Sequence, residues 1–149
     1  MPRIDAFDEA VIDSPPLIVF KAILDEYAGI THWRMPLVES KIREGTPHGR
    51  EGAIYDATRH TRGTPKGSLR ITKIVEGKLI EVEEEGDFVG TGIWTFEPTN
   101  GETKIGYRWS GRPERLSFRL LSPFRDIRRM HSDGMQKIFI ALNSYLSKE

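Results

Sequence analysis

From residue 37 to residue 111 the apolar side chains recur at every second position, whereas residues 17–27 and the segment after residue 123 carry them at every third or fourth. A period of two over so long a stretch predicts strands, here near 37–43, 51–59, 68–75, 79–85, 88–97 and 103–110. Turn sequences separate them: Gly45-Thr46-Pro47, Gly63-Thr64-Pro65-Lys66-Gly67, Glu76-Gly77, Gly86-Asp87 and Pro98-Thr99-Asn100-Gly101. Parallel neighbours need a crossover of about a dozen residues. These loops are shorter, so the strands are expected to form an antiparallel meander.

Residues 4–12 alternate as a further strand, with Phe7 and Val11 on one face and Ala10 and Ile12 on the other. Ser14 as N-cap and Pro15 at the first helical position then open a helix. Its stripe is Val19, Phe20, Ile23, Leu24 and Tyr27, and Gly29 ends it. A short second helix is expected through Ile30 and Trp33, before Pro36 forces Met35 into an extended conformation. Ser122-Pro123 repeats the cap signal, and Phe124, Ile127, His131, Met135, Ile138, Leu142 and Tyr145 follow at steps of three and four. A helix over 123–147 is about 37 Å long at ~1.5 Å per residue, long enough to cover a whole sheet. Gly134 in its middle costs roughly 1 kcal/mol against Ala and calls for a packing or pocket reason. The order strand, two helices, six strands, long helix is α+β, one curved antiparallel sheet closed by the last helix.

Composition narrows the class. The 149 residues fit a single domain over 1–149, and 22 Lys+Arg cancel 22 Asp+Glu. That balance argues against a surface built for nucleic acid and against an acidic disordered chain. Seven Phe, four Tyr and three Trp supply rings for a core or a pocket. Cys is absent, which removes disulfides, thiolate metal sites and Cys nucleophiles and fits a reducing compartment. The opening residues lack an apolar signal-like stretch, and no run approaches the ~18 apolar residues of a membrane span. A cytoplasmic protein is expected.

Several segments resemble a known superfamily. Ile12-Asp13-Ser14-Pro15-Pro16-Leu17-Ile18-Val19-Phe20 followed by Asp25 resembles the first strand-to-helix junction of the START/Bet v 1-like (SRPBCC) proteins, in particular the polyketide cyclase/dehydrase and lipid transport branch. Trp33-Arg34-Met35-Pro36 is similar to that branch's short second helix running into its second strand. Gly49 and Gly52 match its loop into the third strand, and Trp94-Thr95-Phe96-Glu97-Pro98 with Gly101-Glu102-Thr103 its last hairpin. The resemblance implies a helix-grip fold, in which a seven-stranded curved antiparallel sheet wraps a long C-terminal helix over an apolar cavity. It implies no universal catalytic set: members bind lipids, sterols, polyketides or hormones, and some cyclise, hydrolyse or bind other proteins.

The residues themselves offer candidates. Trp94 and Phe96 share a face of one strand and Ile105, Tyr107 and Trp109 a face of the next. Such a ladder is either ordinary core or, with the side-chain-free Gly90 and Gly92 beside it, a stepped floor that a ligand fills. His131 falls on the apolar stripe of the long helix, where it is either a satisfied core histidine or a cavity-facing hydrogen-bonding group or acid/base. Glu9, Asp56 and Tyr107 are its candidate partners. The expected cavity wall is drawn from Trp33, Tyr55, Trp94, Phe96, Tyr107, Trp109, His131 and Met135. No metal or cofactor is expected: His32, His48, His60 and His131 lack ligand spacing, and Gly63 to Gly67 lacks the phosphate-loop order.

Charge is uneven. Seven arginines between Arg108 and Arg129 face only Glu114 and Asp126, a net of five positive, and residues 76–87 carry a net of five negative. Both are read either as solvated faces or, for the basic stretch, as a rim for an anionic head group, a membrane surface or an acidic partner. Leu116, Phe118, Leu120 and Leu121 within the basic stretch are expected to act as a lid. Three functions follow: binding or transport of a hydrophobic small molecule, a cyclase or dehydratase using His131, and a protein- or ribosome-interaction module using residues 108–129. A specific nucleic-acid site is not expected, and the sequence leaves the oligomeric state open.

Overall fold

The computed structural model describes residues 3–60, 66–114 and 126–147. In chain order the elements are β1 (Ile4–Ile12), α1 (Pro16–Ala28), β2 (Val38–Ile42), β3 (Ile54–His60), β4 (Gly67–Val75), β5 (Leu79–Gly86), β6 (Phe88–Thr99), β7 (Glu102–Pro113) and α2 (Ile127–Ser147). The strands form one antiparallel sheet in the order β1-β7-β6-β5-β4-β3-β2. It is a meander from β2 to β7, with β1 returning to pair with β7 from Thr103 to Gly111. The sheet curves as a half-barrel around α2, an α+β helix-grip arrangement.

Alternation decides what faces the helix. On β6 the positions Phe88, Gly90, Gly92, Trp94 and Phe96 are buried, and on β7 Ile105, Tyr107 and Trp109. Register sets Trp94 opposite Tyr107 and Gly92 opposite Trp109. On β1 the inward face is Ala6, Asp8 and Ile12, with Phe7 and Val11 exposed. Facing them, α2 buries Ile127, Met135, Phe139, Leu142 and Leu146 over about 32 Å, at ~1.5 Å rise per residue. The Asp126 carboxylate accepts the Arg129 N–H at 3.0 Å and caps the helix. Ser122 and Pro123, the expected cap, lie outside the described residues. At the other end the Asn143 amide donates to the Val11 carbonyl and accepts the Asp13 N–H, both at 3.0 Å, tying α2 to the end of β1.

Three local expectations are corrected. The first helix starts one residue late: Pro15 holds the cap position without a side-chain bond, and Pro16 takes the first turn. β3 begins at Ile54 rather than 51, because residues 51 and 52 form a turn with Gly52 at φ +94°. The second short helix is instead a turn over residues 33–37. There the Glu26 carboxylate accepts the Trp33 and Arg34 N–H groups at 3.0 and 2.9 Å, and Pro36 has no N–H to extend a helix. α1 ends at Gly29, φ +81°, whose successor Ile30 donates back to the Asp25 carbonyl at 3.0 Å. A β-carbon there would lie 2.7 Å from the Ser40 carbonyl, so glycine is required on both counts.

Gly134 is different. Among the described residues nothing lies within 4 Å of where its β-carbon would be. Gly134→Ala is therefore expected to raise stability by up to about 1 kcal/mol, read as a higher urea midpoint at unchanged slope. Among the described residues no helix is long and apolar enough to cross a membrane.

Candidate functional site

Between the concave face of the sheet and α2 lies a cavity of about 330 Å³. Trp33, Tyr55, Trp94, Tyr107, Trp109, His131 and Met135 line it, seven of the eight residues expected there. Phe96 does not. One inward step beyond Trp94, it is covered by α1 and packs edge-on against Phe20, ring centroids 5.5 Å apart. The expected step over Gly90 and Gly92 is also corrected: the Tyr107 ring and hydroxyl fill the space above Gly92, and the Ser110–Gly111 backbone that above Gly90. Leu116, Phe118, Leu120 and Leu121, the expected lid, lie outside the described residues.

The rings are held by contacts that leave few free tips. Trp94 donates its indole N–H to the Tyr27 hydroxyl at 3.0 Å, and Tyr27 stacks on Tyr55 with centroids 5.6 Å apart. Burial raises the Tyr27 hydroxyl to about 12, so it stays neutral. The Tyr55 hydroxyl accepts the Gly49 N–H at 3.1 Å and bonds the His48 ring at 3.0 Å. At one end of the cavity the Glu26 carboxylate takes four hydrogen bonds, two from Arg34, one from Thr31 and one from the Trp33 backbone. The Arg34 guanidinium continues to Ser40 at 2.8 Å and lies over the Tyr27 ring. This buried pair is satisfied and positions the Trp33 wall.

The opposite end is not satisfied. His131 stacks on Trp109, centroids 4.6 Å apart, and its Nδ1 lies 3.7 Å from the Asp8 carboxylate. Asp8 Oδ2, His131 Nδ1 and Trp109 Nε1 are buried without a hydrogen-bond partner among the described residues. Burial lowers the His131 pKa and the Asp8 charge partly offsets it. The partner is thus Asp8, on the inward face of β1 opposite Tyr107. Of the expected partners, Glu9 pairs with Lys104 on the outer face, Asp56 pairs with Arg43, and Tyr107 touches His131 only by stacking.

Glu84 shares this region, although in the sequence it reads as part of a solvated acidic hairpin. It follows Ile80 and Val82 on the inward face of β5, whereas Glu83 and Glu85 are exposed. Burial raises its carboxyl to about 7, against the lowering effect of the Trp109 indole. Of the basic stretch, Arg108 sits over the outward Phe7 ring, Arg112 lies 3.9 Å from Glu114, and Arg128 and Arg129 are exposed. No cluster of three His, Asp or Glu suited to a metal occurs among the described residues.

No family model matches the chain, and no curated protein matches it. Solved structures do. The crystal structure of Ara h 8.0201 is 18% identical over 99% of each chain, with a TM-score of 0.73. TTHA0849 from Thermus thermophilus is 16% identical over 95% of each chain, also at 0.73. Norcoclaurine synthase from Thalictrum flavum is 12% identical over 99% of this chain and 88% of that one, at 0.66. At such identities the likeness is one of fold.

Proposed function

We propose that this chain, whose fold is that of the Bet v 1-like (SRPBCC) proteins, acts as a single domain over residues 1–149 that binds a compact hydrophobic molecule in its internal cavity. One observation carries the reading: about 330 Å³ of space walled by rings, in a chain that otherwise packs its core. At ~30 Å³ per water that space equals about ten waters. It lies at the small end of the ~300–1,000 Å³ range of ligand sites. A lipid, sterol or polyketide therefore enters in part or as a small member of its class. Its apolar body lies against Trp94 and Met135, and its polar groups meet the unsatisfied end at His131 and Trp109.

All three tryptophans line the cavity, which makes the test direct. N-phenyl-1-naphthylamine is expected to bind saturably and to quench tryptophan emission. Gly134→Met, which sends a side chain into open space, is expected to abolish that binding with an unchanged circular dichroism spectrum. Absence of saturable binding by wild type across a chemically broad library ends this reading.

A second reading is supported by the Asp8–His131 pair. At 3.7 Å the Asp8 carboxylate is not hydrogen-bonded to Nδ1, but a small approach closes that bond and fixes the tautomer that presents Nε2, the arrangement a general base requires. On this reading the protein is a cyclase or dehydratase in which His131 moves the proton. His131→Gln then lowers turnover of an identified substrate by at least about a hundredfold. Intact turnover in that variant removes His131 from the chemistry.

A further inference from the structure

Glu84 is the feature that binding of a purely apolar molecule leaves without a use. Its carboxylate faces the cavity from β5, paired in register with Leu69 on one side and Gly90 on the other. Beyond Gly90 the register continues to Gly111, so two side-chain-free positions lie next to the acid on the same floor. The Trp109 indole occupies the space above Gly111: its Cζ2 and Cε2 atoms lie 2.7 and 3.0 Å from where a Gly111 β-carbon would be. This brings the indole N–H to the side of the floor that carries Glu84, where it favours the ionised acid without closing a short bond to it. The Tyr27 and Tyr107 hydroxyls, from α1 and β7, complete the surroundings and stay neutral.

The cavity's other charges do not answer Glu84. Arg34 is engaged by Glu26 and Ser40, Lys66 is exposed, and His131 is held neutral by burial. Among the described residues no cation lies within ion-pair distance of the Glu84 carboxylate. A half-buried carboxylate turned into an apolar cavity costs free energy unless a positive charge meets it. Phe88, Tyr107 and Trp109 line the same cavity, and aromatic surroundings favour a cation over a second anion. An acid with no cationic partner among the described residues, facing a ring-lined cavity, is a receptor for a positive group.

We propose that the ligand is a hydrophobic amine, its protonated nitrogen seated on the Glu84 carboxylate and its apolar body along Trp94 and Met135. The inference rests on the reading of the cavity as a ligand site and adds the class of molecule. On binding, the ammonium donates to the carboxylate, and a Glu84 that was protonated releases its proton to water.

Three probes of one shape test it: 1-naphthylmethylamine, 1-naphthalenemethanol and 1-methylnaphthalene, titrated into the full chain by calorimetry at slightly alkaline pH. Wild type is expected to bind the amine at least about tenfold tighter than the alcohol. Glu84→Gln, similar in shape, is expected to erase that preference and to leave the alcohol and the hydrocarbon within about threefold of wild type. Glu85→Gln makes the same charge change at an exposed position and is expected to keep the preference. An amine bound no tighter than the alcohol overturns the proposal, as does a preference that survives in Glu84→Gln. If alcohol and hydrocarbon bind without any gain for the amine, the amine inference alone falls. If none of the three binds wild type, the cavity reading falls and the inference with it.

Discussion

Glu26→Ala is expected to cost about 3–5 kcal/mol, enough to remove a large part of the stability of a domain this size. The Glu26 side chain is buried at the end of α1 and its oxygens accept from four groups at 2.8–3.4 Å. Truncation leaves the Arg34 guanidinium, itself only 9% exposed, without its counter-charge. It also strands the Trp33 and Arg34 backbone N–H groups, and each unpaired buried donor costs about 1–3 kcal/mol. The turn over residues 33–37 is left with two short-range backbone bonds, Met35 to His32 and Leu37 to Arg34, so the Trp33 wall of the cavity loosens with it. Urea unfolding of Glu26→Ala beside the double variant Glu26→Ala/Arg34→Met separates charge from packing. The double variant is expected to recover part of the loss, because it removes the orphaned charge as well. A loss under about 1 kcal/mol in the single variant would mean that water reaches Arg34.

How much of this was legible in the sequence depends on how each residue reports its face. Trp94, Tyr107 and Trp109 are large and alternate cleanly with polar neighbours, so their strand face was readable and the meander followed from loop length. Glu84 was hidden by its company. Glu81, Glu83, Glu84 and Glu85 read together as a charged run, and net charge over a window erases the alternation that separates one acid from the others. The signal was present in Ile80 and Val82, which set the inward phase of β5 and place Glu84 next on it. Asp8 was hidden similarly behind two apolar residues of opposite faces, Phe7 outside and Ala6 inside. Only the pairing of Asp8 with Tyr107 fixes it beneath α2, and cross-strand register is set by long-range contacts. Glu26 and Arg34 lie eight residues apart across a helix end, and nothing in local periodicity joins them. The missed residues are the polar ones that face inward, where binary patterning assigns the wrong side.

Glu84→Gln should have the opposite sign to Glu26→Ala above neutral pH: it is expected to stabilise. Burial raises the Glu84 pKa from 4.5 to about 7, so between those values the folded protein holds a proton that the unfolded chain has released. The stability this site contributes is complete below pH 4.5 and is lost as the pH rises through about 7. The loss amounts to something on the order of 3 kcal/mol at 1.36 kcal/mol per unit. Glutamine carries no such proton. The variant is therefore expected to match wild type near pH 4.5, to gain on it up to about pH 7 and to level off above that, at roughly 6–12 °C in Tm. Tyr27 and Tyr107 stay neutral throughout, and the Glu26–Arg34 pair is common to both proteins. His131, whose pKa burial lowers, also titrates in both and largely cancels in the difference. Thermal unfolding of the two proteins at a series of pH values checks the slope, and a gap that does not change with pH would show that Glu84 ionises at no cost. The same measurement bears on the ligand. A protonated amine on the carboxylate supplies the missing charge, so saturating 1-naphthylmethylamine is expected to raise the wild-type Tm most at pH 8 and to do so far less in Glu84→Gln. Equal shifts in both proteins would place the amine elsewhere in the cavity.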